Sequence, residues 1–175
     1  MSETRDRIAR HVHTHPGVHF NDLVRTLDLA PGQVQYHLKQ LLTADSVVDE
    51  QLYGQTHYYP PEYNDWRRGA LALLRRETVG DIVAVLCEHG SARPQWVADE
   101  LDIARSTLEW HLDHLVEESV VVKHRDERNH VTLRLTRQDE TAALLDEISP
   151  STPERMVDRF TRLTDRLLDE PRSSE

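Results

Sequence analysis

The sequence predicts a mainly helical chain with small β-hairpins, built as two copies of one unit with further helices between and after them. Three observations carry this. First, Ala30-Pro31-Gly32-Gln33-Val34-Gln35-Tyr36-His37-Leu38 returns as Ala104-Arg105-Ser106-Thr107-Leu108-Glu109-Trp110-His111-Leu112, an offset of 74 positions between His37 and His111. Second, the same offset relates Ile8 to Ile82, Leu27 to Leu101, Leu29 to Ile103, Leu41 to Leu115 and Val47-Val48 to Val121-Val122. Third, the apolar spacing in each copy suits three short helices followed by two strands around a turn. A 74-residue period is too long for a solenoid repeat and matches a small domain plus connector.

Each element of the first copy has a local reason. Thr4 is expected to cap a helix carrying Ile8 and Val12, which His15-Pro16-Gly17 ends. Phe20, Leu23, Val24 and Leu27 are spaced for a second helix. His19 stands where its N-cap belongs, as Arg93 does in the other copy. Asp28-Leu29-Ala30-Pro31 makes a tight turn, with Pro at the first position of a third helix running to Thr43. Val34, Leu38, Leu41 and Leu42 form its inward stripe. Val47 to Glu50 and Gln55 to Tyr59 pair as a hairpin around Tyr53-Gly54, and Pro60-Pro61 closes the unit.

The second copy follows the same plan. Thr78 is expected to cap a helix to Glu88, followed by helices from Pro94 to Leu101 and from Arg105 to Glu117. Val120 to Lys123 and Val131 to Thr136 form its hairpin. The connector from Glu62 to Arg76 is helical, with Trp66, Ala70, Leu73 and Leu74 on one stripe. Asp139 to Ile148 and Glu154 to Asp169 give two more helices, separated by Ser149-Pro150-Ser151-Thr152-Pro153. The expected division is residues 1–60, a linker over 61–77, residues 78–137, and C-terminal helices over 138–175.

Helix, helix, turn, helix, hairpin is the order of a winged helix-turn-helix, so the fold class is tandem winged helices. Pro16-Gly17-Val18-His19-Phe20-Asn21-Asp22-Leu23, followed by Gly32-Gln33-Val34-Gln35-Tyr36-His37-Leu38, resembles archaeal regulators of the MarR/ArsR-like superfamily, including those with two helix-turn-helix domains. Ser106-Thr107-Leu108-Glu109-Trp110-His111-Leu112 resembles the matching segment of haloarchaeal relatives. The resemblance covers both repeats. It implies regulation of transcription by duplex DNA binding, and it leaves the operator and the signal open.

In this fold the third helix enters the major groove and the wing meets backbone or minor groove. With Val34, Leu38, Leu41 and Leu42 turned inward, about 100° per residue places Gly32, Tyr36, Lys39 and Gln40 outward. Gln33 lies at the edge of this face and Gln35 beside it. Gln suits adenine, Lys suits guanine or phosphate, and Tyr suits phosphate or a thymine methyl. Gly32 permits close approach, and the face holds no carboxylate. The second copy shows Arg105, Ser106, Thr107, Trp110, Asp113, His114 and Glu117 instead. Asp113 replaces Lys39 and Glu117 replaces Thr43, while Arg125 and Arg128 favour phosphate contact by the second wing. The second unit is therefore either a weaker reader or a copy used for assembly. Trp110 on an outward face points to a contact with the linker or a partner.

Composition constrains these readings. With 21 basic and 31 acidic residues the net charge is −10, the wrong sign for a generic nucleic-acid binder. Lys39 and Lys123 are the only lysines. An acidic, lysine-poor surface suits a halophilic archaeal protein. In molar salt the Debye length is about 3 Å, and distant acids barely repel phosphate. The net charge also favours a rival reading, a protein-interaction or assembly module that does not bind DNA. One cysteine, Cys87, excludes an intrachain disulfide and reads as a small core residue. No signal-peptide pattern or bilayer-length apolar run is visible, so a cytoplasmic location is expected.

No catalytic constellation, phosphate-cradling glycine loop or cofactor motif is present, so no enzyme and no cofactor are expected. His11, His13, His15 and His19 alternate near a helix end without sharing one side, and read as surface and cap residues rather than metal ligands. His37 and His111 recur on the flank of the third helix, where a structural hydrogen bond is expected. An effector sensor has no residue cluster in its favour. In the last helix Met156, Phe160, Leu163 and Leu167 step by 4, 3 and 4, the seam of a coiled coil, and are expected to form a homodimer interface, the alternative being that the stripe docks on its own domain. Arg155, Arg159, Arg162 and Arg166 run beside it.

Overall fold

A computed structural model describes residues 2–148. The final helix with Met156, Phe160, Leu163 and Leu167 lies outside the described residues. The first unit comprises α1 (Glu3–Thr14), β1 (Val18–His19), α2 (Phe20–Leu27), α3 (Pro31–Thr43), β2 (Val48–Leu52) and β3 (Gln55–Tyr59). The linker helix α4 (Asp65–Leu74) follows. The second unit repeats the order as α5 (Glu77–His89), β4 (Ser91–Ala92), α6 (Pro94–Leu101), α7 (Arg105–Glu117), β5 (Val121–Arg125) and β6 (Val131–Leu135). Helix α8 (Gln138–Ile148) closes the described chain. The fold is mainly helical with two small β wings, a tandem winged helix-turn-helix.

Each wing is a three-stranded antiparallel sheet, β1-β3-β2 and β4-β6-β5. Strands β1 and β4 were not expected, because two residues leave no alternation to detect. They pair Val18 with Tyr58 and Ala92 with Leu133, tying the turn before α2 or α6 to the wing. The first hairpin pairs Leu52 with Gln55, so Tyr53 and Gly54 turn the chain, both at positive φ. In the second wing Arg125 pairs with Val131, whereas Gln51 pairs with Thr56 in the first. The second hairpin is therefore one residue longer. The copies also share left-handed positions without glycine: Asp28 and Asp102 both end the second helix at φ near 52–53°.

Two expected caps move. Helix α1 begins with Ser2 as N-cap, and Thr4 lies inside its first turn. Helix α5 begins after Arg76, whose carbonyl accepts the Gly80 amide, so Thr78 is again inside the helix. Both shifts arise because Glu3 and Glu77 are good first-turn residues against the helix dipole. His19 and Arg93 are the N-caps of α2 and α6, but neither side chain bonds the helix end.

The first unit packs Ile8, Val12, Leu23, Val34, Leu38 and Leu41 around Val18, Val47 and Tyr58. Leu42 is only half-buried at the edge of that core. The second core is larger because α4 joins it. Ala70, Leu71, Leu73 and Leu74 are buried among residues of α5, α6 and α7, with Tyr59 and Tyr63 entering from the end of the first wing. Trp66 is half-buried, and its indole N–H donates to the Ser119 carbonyl at 3.1 Å. Cys87 sits half-buried beside this core, where burial pushes its thiol up.

Candidate nucleic-acid interface

Helix α3 turns Val34, Leu38 and Leu41 into the core, leaving Gly32, Gln33, Gln35, Tyr36 and Lys39 exposed and Gln40 half-buried. Tyr36 is 60% exposed, a large ring that packing within this chain does not explain. Gln33 is turned back: its Oε1 accepts the Ala30 amide at 3.2 Å and closes the N-terminal cap. That leaves its NH₂ group for an outside partner. Gly32 has nothing within 4 Å of where a Cβ would stand, so its face is open.

Towards its C-terminal half α3 meets α1. Arg5, Tyr36, Lys39, Gln40, Thr43 and Ala44 line a shallow groove of about 580 Å³. It contains two cationic side chains and no carboxylate. The Nε of Arg5 and the Oε1 of Gln40 are enclosed there without a hydrogen-bond partner. Arg5 was not among the expected site residues. Its signal was present in the repeat: the 74-residue offset puts a valine, Val79, at the matching position.

Helix α7 presents a different surface. Arg105 is bound to Glu109 at 2.8 Å, and Lys123 from β5 reaches the same carboxylate at 2.7 Å and Asp113 at 3.8 Å. Burial alone would raise the Glu109 carboxyl, but hydrogen bonds from Lys123 and Arg105 hold it below the ordinary carboxylate range. Those two cations are engaged within the unit. Ser106 and Thr107 are exposed at the helix start, and Trp110 is 54% exposed. The Trp110 ring contacts His111 and His114 edge-on, and the Arg76 guanidinium lies 5.9 Å from its centroid. These contacts leave most of the Trp110 surface exposed.

The wings also differ. The tip of the first is seated on the second unit. Tyr53 donates its hydroxyl to Glu118 Oε1 at 2.8 Å, packs edge-on against His114, and lies under Arg76 at 5.0 Å. Burial, then the Glu118 carboxylate, push the Tyr53 hydroxyl well above its ordinary range. Arg68 of α4 holds Glu50 of β2 at 2.6 Å. Gly69 gives Glu118 room, since a Cβ there would collide with its carboxylate. The second wing projects freely: residues 124–130 are exposed. Asp126 organises its tip by accepting the Arg128 and His130 amides at 2.9 and 2.8 Å. Arg125 bonds Asn129 at 2.8 Å, and the Arg128 side chain is exposed.

The histidines form pairs. His11 stacks on His15 at 4.3 Å and His19 lies 4.2 Å from His57. His57 is buried, with Nδ1 at 3.0 Å from the Gly17 carbonyl. Arg75 comes in from the linker to donate its Nε to the Pro16 carbonyl at 2.9 Å. Gly17 is required beside it: its φ is +80°, and a Cβ would stand 3.2 Å from Arg75 Nε and from the Tyr59 ring. Among the described residues no group of three or more His, Cys, Asp or Glu could hold a metal. The structural hydrogen bond expected of His37 and His111 is not made at Nδ1, which is enclosed without a partner in both copies.

Residues 2–71 match the HTH_HVO_0163_N family model, described as an N-terminal HTH domain. The chain is 26% identical over 131 residues to a protein of Methanocaldococcus jannaschii named "Uncharacterized HTH-type transcriptional regulator MJ1398". That match covers 75% of this chain and 33% of the relative, so the chain spans about a third of the relative's length. Among solved structures, one titled "Structure of reduced AbfR bound to DNA" is 19% identical with a TM-score of 0.43, covering 59% of this chain and 84% of that one. The matched family model covers the first winged unit, and the relative's match extends the similarity into the second. Both the family model and this relative are of helix-turn-helix type. No helix among the described residues is long and apolar enough to cross a membrane.

Proposed function

We propose that the protein is a sequence-specific DNA-binding transcription regulator whose first winged helix reads the major groove through α3. The observation that carries this reading is the surface of α3. On a chain of net charge −10, its exposed face holds Gly32, Gln33, Gln35, Tyr36, Lys39 and Gln40 and no carboxylate. Solubility alone does not select such a face, whereas phosphate and base edges do. The glutamines serve base readout, and Lys39 and Tyr36 serve the backbone.

The second unit contributes differently. Ser106 and Thr107 at the start of α7, with Arg125 and Arg128 of the free wing, are its candidate DNA contacts. The engaged Arg105 and the carboxylates Glu109, Asp113 and Glu117 oppose deep insertion of α7. Assembly is the second reading for this unit alone, favoured by its exposed Trp110 and by the wing tip seated against it. A homodimer formed by Met156, Phe160, Leu163 and Leu167 would set two α3 helices on a pseudo-palindrome. The archaeal family relationship and the acidic, lysine-poor surface suit a halophilic cytoplasm.

Selection from a random duplex library at molar KCl tests the function. Recovery of a defined motif is expected. Tyr36→Ala and Lys39→Ala should each weaken binding to the recovered duplex about tenfold while leaving the melting curve in place. Failure to retain any duplex at any salt would make the whole chain an assembly module.

A further inference from the structure

The two units share their core positions, so matching positions on α1 and α3 that differ from those on α5 and α7 mark what each surface is for. Three such positions meet in one groove of the first unit. Lys39 corresponds to Asp113, Thr43 to Glu117, and Arg5 to Val79. In the second unit Val79 is buried at 1% exposure, within the core that α4 joins. In the first unit the matching position is only half-buried. The position instead carries a guanidinium, laid beside the C-terminal half of α3.

Arg5 is not committed elsewhere. Its neighbours in the groove are Tyr36, Lys39, Gln40, Thr43 and Ala44, none of them acidic. No ion pair engages it among the described residues, in contrast to Arg25, Arg67, Arg68, Arg105 and Arg137, each within 3.4 Å of a carboxylate. Its Nε is enclosed without a partner, and so is the Gln40 carbonyl oxygen nearby. The Arg5 side chain is thus only half-buried and makes no ion pair among the described residues, so its guanidinium is not neutralised from within the unit. A guanidinium beside an ammonium, with a phenol and a hydroxyl near them, is a donor set for a phosphate diester.

We propose that Arg5, together with Lys39, clamps a backbone phosphate where the C-terminal half of α3 leaves the groove, so that α1 fixes the register in which α3 reads bases. This inference rests on the proposed function. It adds a contact from a helix outside the helix-turn-helix pair, and one that the second unit, with Val79 at the matching position, lacks. Because the contact is with phosphate, it supplies affinity and salt dependence rather than base preference.

The experiment measures binding of the full chain to the duplex recovered by selection and to a scrambled duplex of equal composition, from about 0.2 to 1 M KCl. Arg5→Gln keeps the stem and the polarity of the site. It should weaken both duplexes by a similar factor, about tenfold at the low-salt end, and reduce the slope of log K against log salt by about one. Arg5→Lys, which restores the charge, should recover the slope. Thermal melting of each variant separates a folding defect from a lost contact, since Arg5→Lys and Arg5→Gln should melt together. An unchanged slope in Arg5→Gln, with Lys39→Ala still impaired, would overturn the clamp and leave the proposed function standing. A loss confined to the selected duplex would also overturn it, making Arg5 a base reader. If the unaltered chain binds neither duplex, the function and the clamp fall together.

Discussion

At the scale of single residues, His57 shows how a buried imidazole couples this fold to pH. It is 3% exposed and held by the Gly17 carbonyl. Burial lowers its pKa below the ordinary 6.5, and the charges of His19 and Arg75 push the same way. The unfolded chain takes up a proton near pH 6.5 that the folded chain resists, so this contribution to stability is complete above that pH and is lost as pH falls below it. Burial lowers His11 and His111 as well, which adds to the same trend. The melting temperature should therefore fall on acidification from about pH 7.5 to 5, and His57→Gln should flatten part of the fall. A melting temperature independent of pH over that range would contradict the assignment. Tyr36 and Lys39 belong to the same scale: both are exposed, so their replacement should change binding and not melting.

At the scale of elements, the first wing is a bridge between units. Tyr53 at its tip, Glu50 on β2 and Tyr59 at its end reach Glu118, Arg68 and the second core respectively. Removing one hydroxyl should be felt at both ends of this bridge. Tyr53→Phe should cost about 1 kcal/mol, the worth of one half-buried hydrogen bond to a carboxylate, read from urea melts. It should also speed amide exchange at residues 52–55 and 118–119 together. Faster exchange at the wing alone, with residues 118–119 unchanged, would mean that the tip is not seated on the second unit. The second wing has no such seat and one more residue in its hairpin, which leaves Arg125 and Arg128 at a free tip.

At the scale of the molecule, the two cores are unequal. Among the described residues the first contains nine buried residues and the second 21, because α4 and the end of the first wing join the second. A fragment of residues 61–148 should fold alone, with a cooperative melt. Residues 1–60 should be marginal, since Tyr59, fully buried in the whole chain, would be left exposed. Circular dichroism of the two fragments checks this, and a stable, cooperatively melting 1–60 fragment would show that the first core suffices by itself.

The repeat, read with apolar periodicity, by itself determined the helices and hairpins of both units, down to the limits of α3, α6 and α7. It also located the carboxylate-free face of α3. These are local properties: inward stripes, a proline at a first turn and a glycine at a hairpin each act within a few residues of themselves. Tertiary structure alone decided the rest. The two-residue strands β1 and β4 exist only because β3 and β6 offer a partner. Whether a cation is free to meet an outside ligand depends on carboxylates brought close by folding, such as Glu109 beside Arg105 and Lys123. Arg5 and Arg105 are equally basic in the sequence. The fold leaves one without an ion pair in a groove and neutralises the other, because only packing determines which charges meet.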